Sequence, residues 1–219
     1  MNICIFTDNA YIYEGFCALL PRFPEHTFDF FYSPWNAAFS PRENFRPLRL
    51  KEQGADFYDR YDLFLSLHSK QLFPDALVEN HLCINVHPGL NPHNRGWFPQ
   101  VFSILNGLPV GVTIHKMDAA LDHGPILWQE ELPIYPQDTS KDVYDRILTK
   151  ELELLDAHLG DILTGNYTLT PHGGGRQHQL QGGFRCALPH RPQRARHLRC
   201  GHRSAPGPDP CALSKCLFR

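Results

Sequence analysis

Ile84-Asn85-Val86-His87-Pro88-Gly89 is the stretch on which the fold turns. Side chains alternate along an extended chain, so Ile84 and Val86 pack on one side while Asn85 and His87 leave the other. Pro88 and Gly89 end the strand. Both polar groups therefore fall at its carboxyl end, where open α/β sheets keep their ligands.

Outward from this strand, periodicity predicts further strands over residues 2–7, 27–32, 62–67, 111–117 and 127–132. Helices are expected over 13–20 and 97–106. A long third helix is capped by Thr139-Ser140, with Val143, Ile147, Leu148, Leu152, Leu155, Leu159 and Ile162 recurring at helical spacing. Residues 33–54 read as a loop broken by Pro34, Pro41 and Pro47, and Phe73-Pro74 sits in a second loop. Strands separated by helices imply an α/β fold: a Rossmann-like, mostly parallel sheet flanked by helices.

A chain of 219 residues can bury a substantial core. No apolar run approaches the ~20 residues of a membrane span. The opening Met1-Asn2-Ile3-Cys4-Ile5-Phe6-Thr7-Asp8 reads directly as a strand and lacks the pattern of a signal peptide, from which a cytoplasmic location is expected. Cys4, Cys17 and Cys83 read as small core residues. Charge is unevenly spread. Residues 1–172 hold 12 Lys+Arg against 22 Asp+Glu, and residues 173–219 hold 9 against 1. An acidic body argues against binding nucleic acid over a broad surface.

A second stretch, Leu121-Asp122-His123-Gly124-Pro125-Ile126, supplies a carboxylate in a Gly/Pro-rich loop. Asn85, His87 and Asp122 together suit acyl transfer to an amine. The amide can donate to a developing oxyanion, the imidazole can accept or relay a proton, and the carboxylate can orient and charge-stabilise the imidazole. Taken singly, Asn-x-His at a strand end is weak evidence and Asp-x-Gly is ordinary turn chemistry. Their ordered combination with the flanking motifs carries the reading.

Asn85-Val86-His87-Pro88-Gly89-Leu90, Arg95-Gly96, Gly111-Val112-Thr113-Ile114-His115, Met117-Asp118 and Leu121-Asp122-His123-Gly124-Pro125-Ile126 resemble the signature of the folate-dependent formyltransferase family. The resemblance runs from residue 1 to about 172. It implies a catalytic domain over 1–172 that moves a formyl group from N10-formyltetrahydrofolate to an amine, with Asn85, His87 and Asp122 as the catalytic set. It also implies that the pterin is held beside Leu67, His68 and Lys70, with Met117, Asp118 and Asp122 as the opposite wall.

Absences narrow the amine. Glycinamide ribonucleotide formyltransferases resemble this chain but carry a Gly-rich phosphate loop after the first strand. Here that position is Thr7-Asp8-Asn9-Ala10-Tyr11-Ile12-Tyr13, with no glycine before Gly15. The transfer-RNA branch carries a second, basic domain, for which residues 173–219 are too short. Leu90-Asn91-Pro92-His93-Asn94-Arg95-Gly96-Trp97 resembles the sugar N-formyltransferases acting on dTDP-linked 4-amino-4,6-dideoxy sugars, as does Thr7-Asp8-Asn9. This implies a nucleotide-sugar substrate held by Asn9, Tyr11, Asn94, Arg95, Gly96 and Trp97, in an enzyme of glycan biosynthesis with room for a homodimer. Arg95 can pair with a diphosphate bidentately, and an aromatic ring can stack on a sugar or base. The glycinamide ribonucleotide activity and a catalytically impaired nucleotide-sugar-binding remnant stand as alternatives.

No metal is expected, because His87, His93, His115 and His123 are dispersed without an H-x-x-x-H pair. Beyond His172 the composition turns abruptly to Arg, Pro, Gly, His and Cys. Residues 173–219 read as a poorly ordered basic tail, translated out of frame from near Gly175.

Overall fold

The computed structural model describes residues 1–93 and 95–171. Asn94 and residues 172–219, with the expected tail, lie outside the described residues. The chain divides into two units, Met1–Gln179 and Leu180–Arg219, and every described residue belongs to the first.

Among the described residues seven strands form one sheet: β1 (Asn2–Thr7), β2 (Thr27–Tyr32), β3 (Phe45–Pro47), β4 (Leu63–Leu67), β5 (Cys83–His87), β6 (Val110–Lys116) and β7 (Ile126–Leu132). Their spatial order is β3-β2-β1-β4-β5-β6-β7. Neighbours from β3 to β5 are parallel, and β6 and β7 extend the sheet antiparallel. The mostly parallel, Rossmann-like α/β sheet read from the sequence is the one the chain forms.

Alternation assigns the two faces. Ile3 and Ile5 of β1, Leu63, Leu65 and Leu67 of β4, Ile84 and Val86 of β5, and Val110, Val112 and Ile114 of β6 share one apolar cluster. Cys4, Phe6, Phe64 and Cys83 point into a second cluster on the opposite face. On that second face β5 changes character part-way along. Cys83 belongs to the core, and Asn85 and His87 follow it at the carboxyl end. A strand buried on both sides thus delivers two polar side chains to one rim.

Among the described residues five helices flank the sheet: α1 (Ala10–Cys17), α2 (Ala55–Tyr58), α3 (Asp75–Asn80), α4 (Pro99–Asn106) and α5 (Ser140–Thr164). The Thr139 side chain accepts from the Asp142 N–H and the Asp142 carboxylate accepts from the Thr139 N–H, so the expected cap of α5 is a reciprocal capping box. Val143, Ile147, Leu148, Leu155, Leu159 and Ile162 are buried as the spacing predicts, whereas Leu152 is only partly so.

Several local expectations need correction. Helix α1 begins at Ala10 rather than 13, because Asn9 Oδ1 accepts from the Ile12 N–H and caps it three residues earlier. The supposed loop 33–54 contains β3. Pro47 ends that strand at the sheet edge, where a missing N–H removes no ladder bond. Phe45 anchors it, stacked 4.2 Å from Tyr13. The chain after Pro74 is helix α3, with Leu77 and Val78 buried. Helix α4 starts at Pro99 rather than 97, because Phe98 has φ 56°.

Asp8, just past β1, ties the rim together. Its carboxylate accepts from Ser33 N (2.9 Å), Ser33 Oγ (2.6 Å), Asn36 Nδ2 (3.0 Å) and Lys70 N (2.7 Å), joining the turns after β1, β2 and β4. No described helix is long and apolar enough to cross a membrane.

Candidate active site

The carboxyl end of β5 faces β6 in antiparallel register, with Asn85 opposite His115 and His87 opposite Thr113. Directly opposed residues share a face, so β6 adds an imidazole and a hydroxyl to the polar pair of β5. The loop after β6 turns back and sets Asp122 over them.

Asp122 is the hub. Its Oδ1 accepts from Asn85 Nδ2 at 3.1 Å and its Oδ2 from the Gly96 N–H at 2.9 Å. His87 Nδ1 lies 3.6 Å from Oδ2, and His115 Nε2 lies 3.7 Å from Oδ1. Asn91 Nδ2 donates to the Asp122 carbonyl at 3.0 Å. Asp122 adopts φ 46°, a left-handed conformation that Asp tolerates better than most residues. Thr113 fixes the turn after β5 by donating to Gly89 O at 2.7 Å and accepting from Asn91 N at 3.0 Å.

His115 orients Asn85. Its Nδ1 is 3.1 Å from the Lys116 carbonyl and donates there, which leaves Nε2 to accept from Asn85 Nδ2 at 3.2 Å. Both N–H groups of the Asn85 amide are thereby directed, one to Asp122 and one to His115.

His87 is 3 % exposed, and its Nε2 has no hydrogen-bond partner among the described residues. A Cβ on Gly89 would stand 2.5 Å from that nitrogen, so only glycine leaves the imidazole its place. Burial pulls the His87 pKa from 6.5 to about 4; Asp122 opposes the shift, and His115, His68 and Arg95 add to it. Burial would by itself raise the Asp122 carboxyl, but His87, His115 and the Gly96 N–H outweigh it and hold the group below the usual carboxylate range. At neutral pH a neutral imidazole therefore faces an ionised carboxylate.

A stability effect follows from this charge state. Between pH 6.5 and 4 the unfolded chain binds a proton at His87 that the folded chain refuses, so stability falls as pH falls through this window. The full loss from this group is about 3 kcal/mol. Urea unfolding measured from pH 7 to pH 4 is expected to decline more steeply for the wild type than for His87→Gln; parallel declines would contradict the burial argument.

A second network lies one strand over. His68 follows β4 at φ 59°. Its Nε2 is 2.5 Å from Oε2 of Glu151, which is fully buried on α5, and its Nδ1 is 3.4 Å from the Tyr144 hydroxyl. Asn9 Nδ2 donates to that hydroxyl at 3.1 Å. Burial raises the Glu151 pKa, and His68 partly offsets this.

The other residues singled out from the sequence fall as follows. Leu67 is core, so only its backbone can meet a ligand. Met117 packs against the second cluster. Asp118 Oδ2 lies 2.7 Å from His123 Nδ1, beside a cleft of about 430 Å³ that Gly124, Pro125, Leu169 and Pro171 complete. The Lys70 side chain lines a different cleft, next to Trp35. Asn9 serves as helix cap and network member. Gly96, at φ 94°, spends its N–H on Asp122. Arg95 is half-buried; burial lowers its pKa while Asp122 and Asp118 oppose this. Tyr11 and Trp97 are exposed, at 50 % and 69 %, and open to solvent rather than to the core. Asn94 lies outside the described residues. Among the described residues no group of three or more His, Cys, Asp or Glu could hold a metal ion.

Sequence reading gave no site role to His115, Asn91, Tyr144 and Glu151, which the structure joins to these two networks. Glu151 had a signal: it interrupts the apolar stripe of α5 between Leu148 and Leu155.

An amide, a neutral imidazole and a buried carboxylate gather at one strand end, an arrangement whose chemistry suits acyl transfer. The chain belongs to the formyltransferase family, whose model (Formyl transferase) matches residues 54–159. It is 46% identical over 169 residues to the dTDP-4-amino-4,6-dideoxyglucose formyltransferase of Mycobacterium tuberculosis, covering 77% of this chain and 69% of that one. Among solved structures, a 4-N formyltransferase from Francisella tularensis superposes with a TM-score of 0.77 at 42% identity, over 82% of this chain and 76% of that one. A sugar N-formyltransferase from a Shewanella species gives 0.75 at 41%, over 82% and 77%.

Proposed function

We infer that this protein transfers a formyl group from N10-formyltetrahydrofolate to the 4-amino group of a dTDP-4-amino-4,6-dideoxyhexose. The observation that carries the reading is the unpartnered Nε2 of a neutral His87, backed by ionised Asp122 and flanked by the Asn85 amide. The similarity to an enzyme named for dTDP-4-amino-4,6-dideoxyglucose supports the acceptor.

The donor set fits the folate reading, since a buried, unsatisfied imidazole nitrogen is suited to a reacting group rather than to the core. The folate, when bound, supplies a formyl carbonyl on N10. The backbone after β4 and the Met117–Asp122 wall would hold it, and Arg95 with Trp97 would meet the nucleotide sugar. His87 Nε2 accepts the proton that the amine gives up as its nitrogen bonds to the formyl carbon. Asp122 stabilises the resulting imidazolium across 3.6 Å, and the proton then passes to the departing nitrogen. Asn85 keeps one N–H on Asp122 and turns the other, now shared with His115, to the carbonyl oxygen where negative charge develops.

Incubation of the protein with N10-formyltetrahydrofolate and a dTDP-4-amino-4,6-dideoxyhexose is expected to add one formyl group by product mass. Asn85→Ala should slow this about 10²–10³-fold. Formylation of glycinamide ribonucleotide instead, or an Asn85→Ala rate near wild type, would overturn the assignment.

A further inference from the structure

Glu151 is a buried acid that the transfer step described above leaves unused. It is fully buried in the apolar stripe of α5, between Leu148 and Leu155. Its Oε2 meets His68 Nε2 at 2.5 Å, and its Oε1 has no hydrogen-bond partner among the described residues. Burying an ion with one oxygen unsatisfied is costly. A glutamine would hold the imidazole without that cost, so the charge asks for a reason beyond packing.

The bonds around it have one polarity. Asn9 Oδ1 accepts from the Ile12 N–H at 3.2 Å, which leaves Nδ2 to donate to the Tyr144 hydroxyl at 3.1 Å. An ionised Glu151 only accepts, so His68 carries its proton on Nε2. Its Nδ1, 3.4 Å from the Tyr144 oxygen, therefore accepts from the Tyr144 O–H. Every proton in this row points the same way, from Tyr144 through His68 to Glu151. Tyr144 and Glu151 stand two turns and about 10 Å apart along one face of α5, and the imidazole spans them.

The row begins beside the reacting centre. Leu67 of β4 pairs with Val86 of β5. The next residues, His68 and His87, thus leave adjacent strand ends with their backbones about 5 Å apart. Among the described residues the titratable groups facing the row are His87 from β5, on which His68 acts, and Asp145 from α5. Burial, Glu151 and Asp145 together raise the Tyr144 hydroxyl, against the Asn9 bond.

The chemistry needs such a row. An aliphatic amine arrives carrying a proton, since even an α-amino group holds its own to about pH 8. It must shed that proton before its nitrogen can attack. Burial pulls His87 to about 4, so it takes a proton from such a donor only about once in 10⁴. Burial acts the opposite way on a carboxyl and raises Glu151, with His68 opposing.

We propose that Tyr144, His68 and Glu151 form a relay that strips the first proton from the acceptor's ammonium group, so that the protein uses the amine in its protonated form. The inference rests on the amino-sugar reading above. The ammonium N–H gives its proton to the Tyr144 oxygen, directly or through one water. The Tyr144 proton moves to His68 Nδ1, and the Nε2 proton moves to Glu151 Oε2. Tyr144 and His68 each gain one proton and lose one. Glu151 ends neutral and returns its proton along the same row once the product has left. The second proton, freed as the new C–N bond forms, is the one His87 carries.

The test is kcat/KM for the amino sugar on the intact protein, at saturating N10-formyltetrahydrofolate, as pH is varied. The wild type is expected to hold its rate between pH 6 and pH 8. Glu151→Gln, and Tyr144→Phe, which removes only a hydroxyl, should depend on the free amine. Their losses should be about tenfold at pH 7 and about 10²-fold at pH 6, and should vanish above about pH 9, where the amine is already neutral. A loss of equal size at every pH would make the row structural and overturn the proposal. So would variants that match the wild type at pH 6, or a wild type whose own rate climbs tenfold per pH unit. If Glu151→Gln does not fold, the Tyr144→Phe profile decides. A wild type that formylates no amino sugar would remove the acceptor reading and this proposal together, whereas pH-independent losses remove this proposal alone.

Discussion

Asp122→Asn is expected to lower kcat/KM by about 10³–10⁴. The carboxylate accepts on both oxygens, from Asn85 Nδ2 on one and from the Gly96 N–H on the other. An amide has a single acceptor, so the substitution sets a donor against one of these N–H groups and orphans it, at about 1–3 kcal/mol. It also removes the negative charge that would stabilise an imidazolium at His87, 3.6 Å away. Loss of a carboxylate behind a catalytic imidazole elsewhere costs about 10⁴ in turnover. The measurement is steady-state kinetics beside a circular dichroism spectrum. A folded Asp122→Asn within tenfold of wild type would show that the hub is structural only.

His87→Ala is expected to reduce kcat by about 10²–10⁴, the range for a positioned acid–base group, with a much smaller effect on binding of either substrate. Among the described residues nothing hydrogen-bonds the imidazole at Nε2, so truncation removes little native bonding and the fold should hold. The pH profile gives a sharper reading. Burial keeps His87 neutral well below its ordinary range, so its protonation should bend the acid limb of kcat/KM near pH 4 rather than near 6.5, and His87→Ala should lack that bend. Turnover near the wild-type level would end the assignment of His87 as the proton carrier.

How much of this could be read from the chain depends on whether the deciding contact is local. Strand β5 spans the residues expected, Cys83–His87, because a β-branched and apolar run ended by Pro-Gly leaves little choice. The cap of α5 was equally legible, since Thr139 and Asp142 lie within one turn of each other. Strand β3 was hidden because Pro47 is a breaker in isolation and harmless at an edge, and edge position is a property of the whole sheet. The same holds for the site. Asn85, His87 and Asp122 came from motif order, and the structure gathers them around one carboxylate. His115 was visible in Gly111-Val112-Thr113-Ile114-His115, but its pairing with Asn85 depends on an antiparallel register 30 residues away in sequence. Asn9 shows the opposite limit: an amide read as a ligand contact also caps α1 and bonds Tyr144.

Among the described residues, three non-glycine residues hold left-handed backbone: His68 after β4, Phe98 before α4, and Asp122 in the loop over β5. Such conformations cost on the order of 1–3 kcal/mol each and persist only where the surroundings enforce them. All three stand on loops beside the carboxyl end of the sheet where Asn85 and His87 lie. The consequence concerns how this protein can change. Glycine would relieve the strain at these positions, and the sequence places an imidazole, a phenyl ring and a carboxylate there instead. The rim is where this sequence has exchanged durability for chemistry, and where a laboratory search for a hardier variant would tend to find its gains at the expense of turnover.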